Sequence, residues 1–291
     1  MLNDVRRSFY EVLIAQKMID TNDQMVRIGE EGARAAEQLW AAAEVSRADV
    51  LQAQIEAEMA KVSRNVAENR HRAAWRRLAG RLGRPDIEAT PLLGEVDSGL
   101  PQFDWDESLS RLWAGSPELA GARAALQRAR CNLALQQRLR YPNVEVQAIV
   151  KYDETVDQTL ADVGVGIALP VFDRNQGNIV TADAELIAAG REVRRLELEL
   201  RDRLVTAFEQ YATARWQVDV YNNTILPNSK ASLDMTTIGY REGELGYLTL
   251  LTAQRTYFSV NLEYLAALNQ LWTESVRIEG LLLSGGLEAP E

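Results

Sequence analysis

Apolar positions repeat with the helical period over most of this chain and switch to strict alternation in one short region. From Asn3 to Gly83, Gly and Pro are scarce while Ala, Glu, Arg and Gln abound, which predicts helix. A break is expected at 42–48, where Ser46 stands three residues before Asp49 in the manner of a capping box, so the segment folds as a helical hairpin. Gly83, Arg84 and Pro85 end it, and Pro91, Gly94, Gly99 and Pro101 mark an irregular linker. A short helix is expected from Trp105 to Trp113. Ser116 as N-cap and Pro117 at the first helical position then open a helix that runs through Arg140 and stops at Pro142.

The period now changes. Val144, Val146, Ala148, Val150 and Tyr152 alternate with Glu145, Gln147, Ile149 and Lys151; Val163, Val165, Ile167 and Leu169 alternate with Asp162, Gly164, Gly166 and Ala168. With a polar turn at Asp153–Gln158 between them, the two runs predict a β-hairpin over 143–169. Each strand is about ten residues, the ~9–11 that a tilted barrel strand needs to cross a bilayer. In that reading Val144, Val146, Val150, Val163, Val165 and Ile167 face lipid, and the small and polar positions face water. A half-buried hairpin of a soluble α+β protein has the same alternation, so the pattern alone leaves both open.

Helical sequence resumes at 178 and runs to 240, about 60 residues or roughly 90 Å if continuous. Pro227 is expected to kink this helix or open one turn. Gly239, Gly243 and Gly246 mark the tip of a second hairpin, whose return helix spans 247–283 and ends at Ser284, Gly285 and Gly286. Leu186, Val193, Leu200, Ala207 and Ala214 recur every seven residues, as do Tyr257, Tyr264, Leu271 and Ile278, which predicts long antiparallel helices packed as a coiled coil.

The two hairpins also repeat one another. Glu44, Val45, Val50, Leu51, Ala53 and Gln54 return as Glu244, Leu245, Leu250, Leu251, Ala253 and Gln254, a spacing of 200 that also pairs Trp40 with Tyr240, Gly80 with Gly280 and Leu82 with Leu282. Upstream the offset slips by one, pairing Phe9 with Phe208 and Ala15 with Ala214. Such self-similarity points to a duplicated supersecondary unit.

Composition narrows the function. A 46% hydrophobic content in 291 residues is enough to bury a core, and a net charge of −10 argues against a nucleic-acid partner, which needs a basic stripe. The cluster Arg64, Arg70, Arg72, Arg76 and Arg77 reads as a solvated helix face balanced by Glu56, Glu58 and Glu68. With one cysteine, Cys131, and one histidine, His71, there is no ligand set for a metal and no reason to expect a cofactor. Glu68 and His71 have the Glu-x-x-His spacing of di-iron bundles, but that chemistry needs the motif twice. No phosphate loop and no nucleophile elbow appear, so an enzyme is not expected. Residues 1–16 lack the uncharged centre of a secretory signal, and no window reaches 18 uncharged apolar residues.

Taken in order, Ser116-Pro117-Glu118-Leu119, Tyr141-Pro142-Asn143, Leu169-Pro170-Val171-Phe172-Asp173, Tyr240-Arg241-Glu242-Gly243-Glu244 and Leu250-Leu251-Thr252-Ala253-Gln254-Arg255 resemble the TolC-like outer-membrane efflux proteins, the exit ducts of tripartite pumps. The resemblance covers nearly the whole chain. It implies a mainly α fold with one β-hairpin: long coiled-coil helical hairpins form part of an α-barrel, and the strands join a membrane barrel. It implies a homotrimer in the outer membrane and periplasm, passively conducting substrate outward with a periplasmic adaptor protein and an inner-membrane pump as partners. The segment Phe172-Asp173-Arg174-Asn175-Gln176-Gly177 is most similar to the heavy-metal-cation branch.

In the family the helical tips close the periplasmic entrance, which makes Trp40, Glu44, Asp49, Tyr240, Arg241, Glu244, Thr249 and Thr252 the candidate gate residues. The family's acidic positions before the Ala of the second repeat are Thr249 and Thr252 here. Asp49, equivalent to Thr249, is therefore either a cation-attracting ring in a trimer or a helix cap. The expected organisation is residues 1–84 as the helical pair of a first repeat, 85–115 as linker, and 116–286 as a complete second repeat. The first repeat lacks a counterpart of the helix and β-hairpin at 116–169, so those elements and a secretory signal are expected upstream of Met1. One hairpin from each of three subunits would give a six-stranded ring, smaller than the roughly eight-stranded minimum of known barrels. A soluble coiled-coil scaffold, or a nonfunctional truncated efflux protein, is the alternative.

Overall fold

The computed structural model describes residues 2–154, 157–167 and 171–283. The expected strand end at Ala168 and Leu169, the following Pro170, part of the hairpin turn at Thr155 and Val156, and the stop at Ser284, Gly285 and Gly286 lie outside the described residues. In chain order the elements are α1 (Leu2–Ala41), α2 (Arg47–Arg81), α3 (Trp105–Gly115), α4 (Pro117–Arg138), β1 (Val144–Asp153), β2 (Gln158–Ile167), α5 (Gln176–Val220), a π-helical turn (Tyr221–Ile225), α6 (Leu226–Arg241) and α7 (Tyr247–Glu279). The chain divides into two compact units, residues 1–110 with 202–291, and residues 111–201.

In the first unit α1 and α2 form an antiparallel pair with a seam of small residues. Ser8, Ala15, Asn22, Gly29 and Ala36 recur every seven positions along α1 and are buried, and so are Ala53, Ala60, Ala67 and Ala74 along α2. Small side chains let the backbones approach closely: a Cβ on Gly29 would lie 3.1 Å from Ala57 Cα. Leu51, Ile55, Met59, Val62 and Val66 fall on the far side of α2, an exposed apolar stripe spanning about 80° of the helix at 3.6 residues per turn.

α7 packs along α1 and α6. The Tyr10 and Trp272 rings stack at 3.9 Å, and the Asn3 side-chain amide donates to the carbonyls of Gly280 (2.9 Å) and Leu283 (3.2 Å), tying the start of α1 to the end of α7. Buried side chains satisfy the irregular segment at 85–104. Trp75 Nε1 donates to Ile87 O (3.1 Å), Trp272 Nε1 to Val96 O (2.8 Å) and the Tyr211 hydroxyl to Pro101 O (2.9 Å), while Gln16 Oε1 accepts from the Leu92 N–H (3.0 Å). These bonds answer backbone groups that no ladder satisfies, so a linker without regular structure stays ordered.

The helix expected over 178–240 is interrupted. Pro227 lacks an N–H, and in a regular α-helix its ring would strike the carbonyl four residues back, Asn223; the backbone instead takes a π-helical turn at Tyr221–Ile225. Of the seven-residue seams, Leu200, Ala207 and Ala214 on α5 and Tyr264, Leu271 and Ile278 on α7 are buried.

In the second unit Ser116 Oγ accepts from Leu119 N (3.3 Å) and Pro117 occupies the first turn of α4. Asn132 Nδ2 donates to Glu185 Oε2 (3.1 Å), and Leu119, Ala182, Leu196 and Leu200 are buried. Asn175 has a left-handed backbone (φ 60°), and its amide donates to Gln136 O (2.8 Å) and Oε1 (3.0 Å), holding the start of α5 beside the end of α4. Between these two helices the chain makes an antiparallel two-stranded sheet, β1 with β2.

Candidate functional site

Two places concentrate the expected functional residues: the tips of the helical hairpins and the strand pair. At the tips the two turns have the same backbone. Ala43 (φ 63°) and Gly243 (φ 73°) both take the left-handed conformation, and each donates its N–H to the third residue back, Trp40 O (2.9 Å) and Tyr240 O (3.2 Å). Glu44 N bonds Leu39 O (2.8 Å) as Glu244 N bonds Gly239 O (2.9 Å). Ser46 and Gly246 then stand as N-caps with near-identical angles (φ −82°, ψ 160° and φ −74°, ψ 154°).

Their side chains differ. Asp49 closes a capping box: Oδ2 accepts from Ser46 N (3.0 Å) and Ser46 Oγ (2.8 Å), and Ser46 Oγ accepts from Asp49 N (3.3 Å). At the matching place in the second tip, Gly246 offers no side chain and Thr249 is exposed. Trp40 is half exposed beneath the Arg47 guanidinium, 5.0 Å from the ring centroid. Thr252 Oγ1 donates back to Leu248 O (2.8 Å), and Arg241 pairs with Glu31 at 3.6 Å.

The two tips share one core built from Ala36, Val50, Ala53, Tyr240, Tyr247 and Leu250. Tyr240 is 1% exposed, meets Tyr247 edge to face with centroids 5.7 Å apart, and its hydroxyl has no hydrogen-bond partner among the described residues. Burial, with the nearby Asp49 charge adding to it, raises the Tyr240 pKa; burial and then Glu56 raise that of Tyr247. Glu44 reaches across to the turn of the second tip, its Oε2 3.6 Å from where a Cβ on Gly243 would stand. Tyr240 is thus a packing residue of the tip, while Glu44, Glu244, Thr249 and Thr252 are exposed around it. Tyr247, Glu56 and Arg255, the last two an ion pair, belong to the same cluster. None of the three was a candidate gate residue in the sequence: the turn at 242–246 puts Tyr240 and Tyr247 on different helices, so no single helical period links them.

The strand register puts apolar residues opposite one another: Val144 faces Ile167, Val146 faces Val165, Ala148 faces Val163 and Val150 faces Ala161. The other side carries Glu145 opposite Gly166, Gln147 opposite Gly164, and Ile149 opposite Asp162. All six residues expected to face lipid therefore share one side of the sheet, and they are exposed, Val163 to 75% and Val146 to 71%. Each strand has a single partner among the described residues, leaving the outer edges of the pair open.

Residues 108–282, more than half of the chain, match the family described as outer membrane efflux protein. The chain belongs to that family. It is 30% identical over 278 residues to the cobalt-zinc-cadmium resistance protein CzcC of Cupriavidus metallidurans, covering 96% of this chain and 66% of that protein. Among solved structures its fold is similar to the outer-membrane channel OprN, with a TM-score of 0.78 at 20% identity over 96% of this chain and 65% of that one. It is also similar to CusC, with a TM-score of 0.79 at 15% identity over 97% and 68%. The chain thus spans just under two thirds of CzcC and of OprN.

Outer membrane efflux proteins are transport proteins, not enzymes. The matched region holds the strand pair and the whole second helical hairpin; α1 and α2 precede it. Among the described residues no helix is long and apolar enough to cross a membrane, and no group of three or more His, Cys, Asp or Glu side chains could hold a metal ion.

Proposed function

We propose that this chain is a subunit of an outer-membrane channel that passively conducts substrate from the periplasm to the exterior within a tripartite efflux system. The observation that carries the reading is the strand pair: two ten-residue strands whose register gathers the apolar side chains on one exposed side. Such a side needs lipid, and the open edges need further strands, because no water satisfies backbone groups in a bilayer.

The subunit works as one of three. The stripe Leu51, Ile55, Met59, Val62 and Val66 faces away from α1, and an apolar stripe of that width on a long helix is what a neighbouring subunit would cover. The matched turns at 42–46 and 242–246, with the 200-residue spacing, support a duplicated unit whose tips meet at the periplasmic entrance. Trp40, Glu44, Asp49, Tyr240, Arg241, Glu244, Thr249 and Thr252 form that end. Asp49 caps α2 through one carboxylate oxygen and adds negative charge near the axis of a trimer. A periplasmic adaptor protein and an inner-membrane pump complete the path. Metal cations are the favoured cargo, on the resistance named for the relative in Cupriavidus metallidurans.

The test is insertion into lipid vesicles of the chain carrying Val163→Arg, opposite Ala148 at the middle of the strand pair. A charge at mid-depth on the lipid side is expected to cost about 2–4 kcal/mol of insertion free energy, whereas Gly164→Arg, on the water side, leaves insertion nearly unchanged. Equal insertion of both variants would contradict the lipid-facing assignment, and a wild type that does not insert would favour a soluble coiled-coil scaffold.

A further inference from the structure

The base of the strand pair carries features that the lipid-facing register does not use. Where α4 gives way to β1 stand Arg138, Leu139, Arg140 and Tyr141; where β2 gives way to α5 stand Val171, Phe172 and Arg174. All are exposed, Phe172 to 94% and Tyr141 to 74%. Asn175 binds Gln136 with two hydrogen bonds, so the two junctions are held together at one end of the hairpin. Tyr141 and Phe172 stand three and five residues in sequence from the strand ends Val144 and Ile167.

The charges at this place are one-sided. Arg138, Arg140 and Arg174 form no ion pair among the described residues. The nearby carboxylates are Asp173, which accepts from Asn175 N (2.9 Å), and Glu145, on the sheet side that carries Gln147. Guanidinium groups bind phosphate oxygens in forked pairs, and aromatic rings with a polar neighbour settle at the level where lipid headgroups meet acyl chains.

We propose that this junction is a binding surface for anionic phospholipid headgroups: Tyr141 and Phe172 enter the interface of the adjoining leaflet while Arg138, Arg140 and Arg174 engage its phosphates. The proposal rests on the reading of the hairpin as membrane-spanning. It adds that the depth of the hairpin is fixed by its base, in a leaflet carrying negative charge.

The experiment is flotation of the full chain with vesicles of phosphatidylcholine alone or with a minority of phosphatidylglycerol, at low and high salt. Insertion is read separately, from protease protection of the strands. The wild type is expected to prefer the phosphatidylglycerol vesicles at low salt and to lose that preference at high salt. The triple variant Arg138→Gln, Arg140→Gln, Arg174→Gln is expected to bind them roughly a hundredfold more weakly and to match the wild type on phosphatidylcholine. A wild type that inserts equally into both vesicle types, with no salt dependence, overturns the headgroup surface and leaves the membrane reading standing. A triple variant that keeps the preference overturns the headgroup surface in the same way. A wild type that inserts into neither overturns both.

Discussion

Ser46 and Asp49 hold the first tip with three hydrogen bonds, and Gly246 and Thr249, at the same backbone positions of the second, provide no side-chain cap. Ser46→Ala is expected to lower stability by about 1 kcal/mol in urea unfolding. The pair Gly246→Ser, Thr249→Asp has open space at Gly246 and is expected to gain a few tenths to about 1 kcal/mol. If neither variant moves the midpoint, the caps contribute nothing at the tips. Glu274 on α7 is 4% exposed, and burial raises its pKa above the ordinary carboxylate range against the opposing pull of Arg277 and Arg7. A carboxyl with a raised folded pKa binds its proton more tightly in the folded state, so stability falls as pH rises from the ordinary carboxylate range through the folded pKa. Glu274→Gln is therefore expected to melt higher than the wild type at neutral pH and to converge with it at acid pH. A difference that persists unchanged at low pH would contradict this.

At the scale of elements, the α1–α2 pair depends on small residues. Gly29→Val drives a branched side chain into the Ala57 backbone and is expected to cost about 1–3 kcal/mol, measured as lost thermal stability with reduced helix content. Most of these elements were legible in the sequence because their signals are large. The capping box, Pro117, the alternation at 144–152 and 162–167, and the seven-residue spacing of Tyr257, Tyr264 and Leu271 each state a period or an end. The seam of the first hairpin was not legible. Ser8, Ala15, Asn22, Gly29 and Ala36 have a perfect seven-residue spacing, but small and polar residues carry no hydrophobic signal, and what packs there is backbone rather than side-chain volume. Pro227 announced a kink or one opened turn without deciding between them, and the opened turn lies upstream, where the proline ring would strike the Asn223 carbonyl. At the tip, the alignment of Tyr240 with Trp40 placed it among the gate candidates but said nothing of its burial.

At the scale of the whole molecule, the α2 stripe and the apolar side of the strand pair are exposed among the described residues, and the proposed function assigns neighbouring subunits to cover the first and lipid the second. The double variant Ile55→Asp, Val62→Asp is expected to shift the detergent-solubilised particle from three chain masses to one by light scattering, with helix content retained. A wild type that is already one chain mass would remove the trimer. The central claim is that the strands cross a bilayer with one side toward lipid, and a residue-by-residue accessibility scan tests it most directly. Single cysteines placed along 144–152 and 161–167, in a chain with Cys131 replaced, are labelled in phospholipid vesicles and exposed to a lipid-soluble and a water-soluble quencher. A period of two is expected. Val146, Val150, Val163 and Val165 respond to the lipid-soluble quencher, and Gln147, Lys151, Asp162 and Gly164 to the water-soluble one. Uniform access of the water-soluble quencher to both sets would contradict a membrane-spanning hairpin.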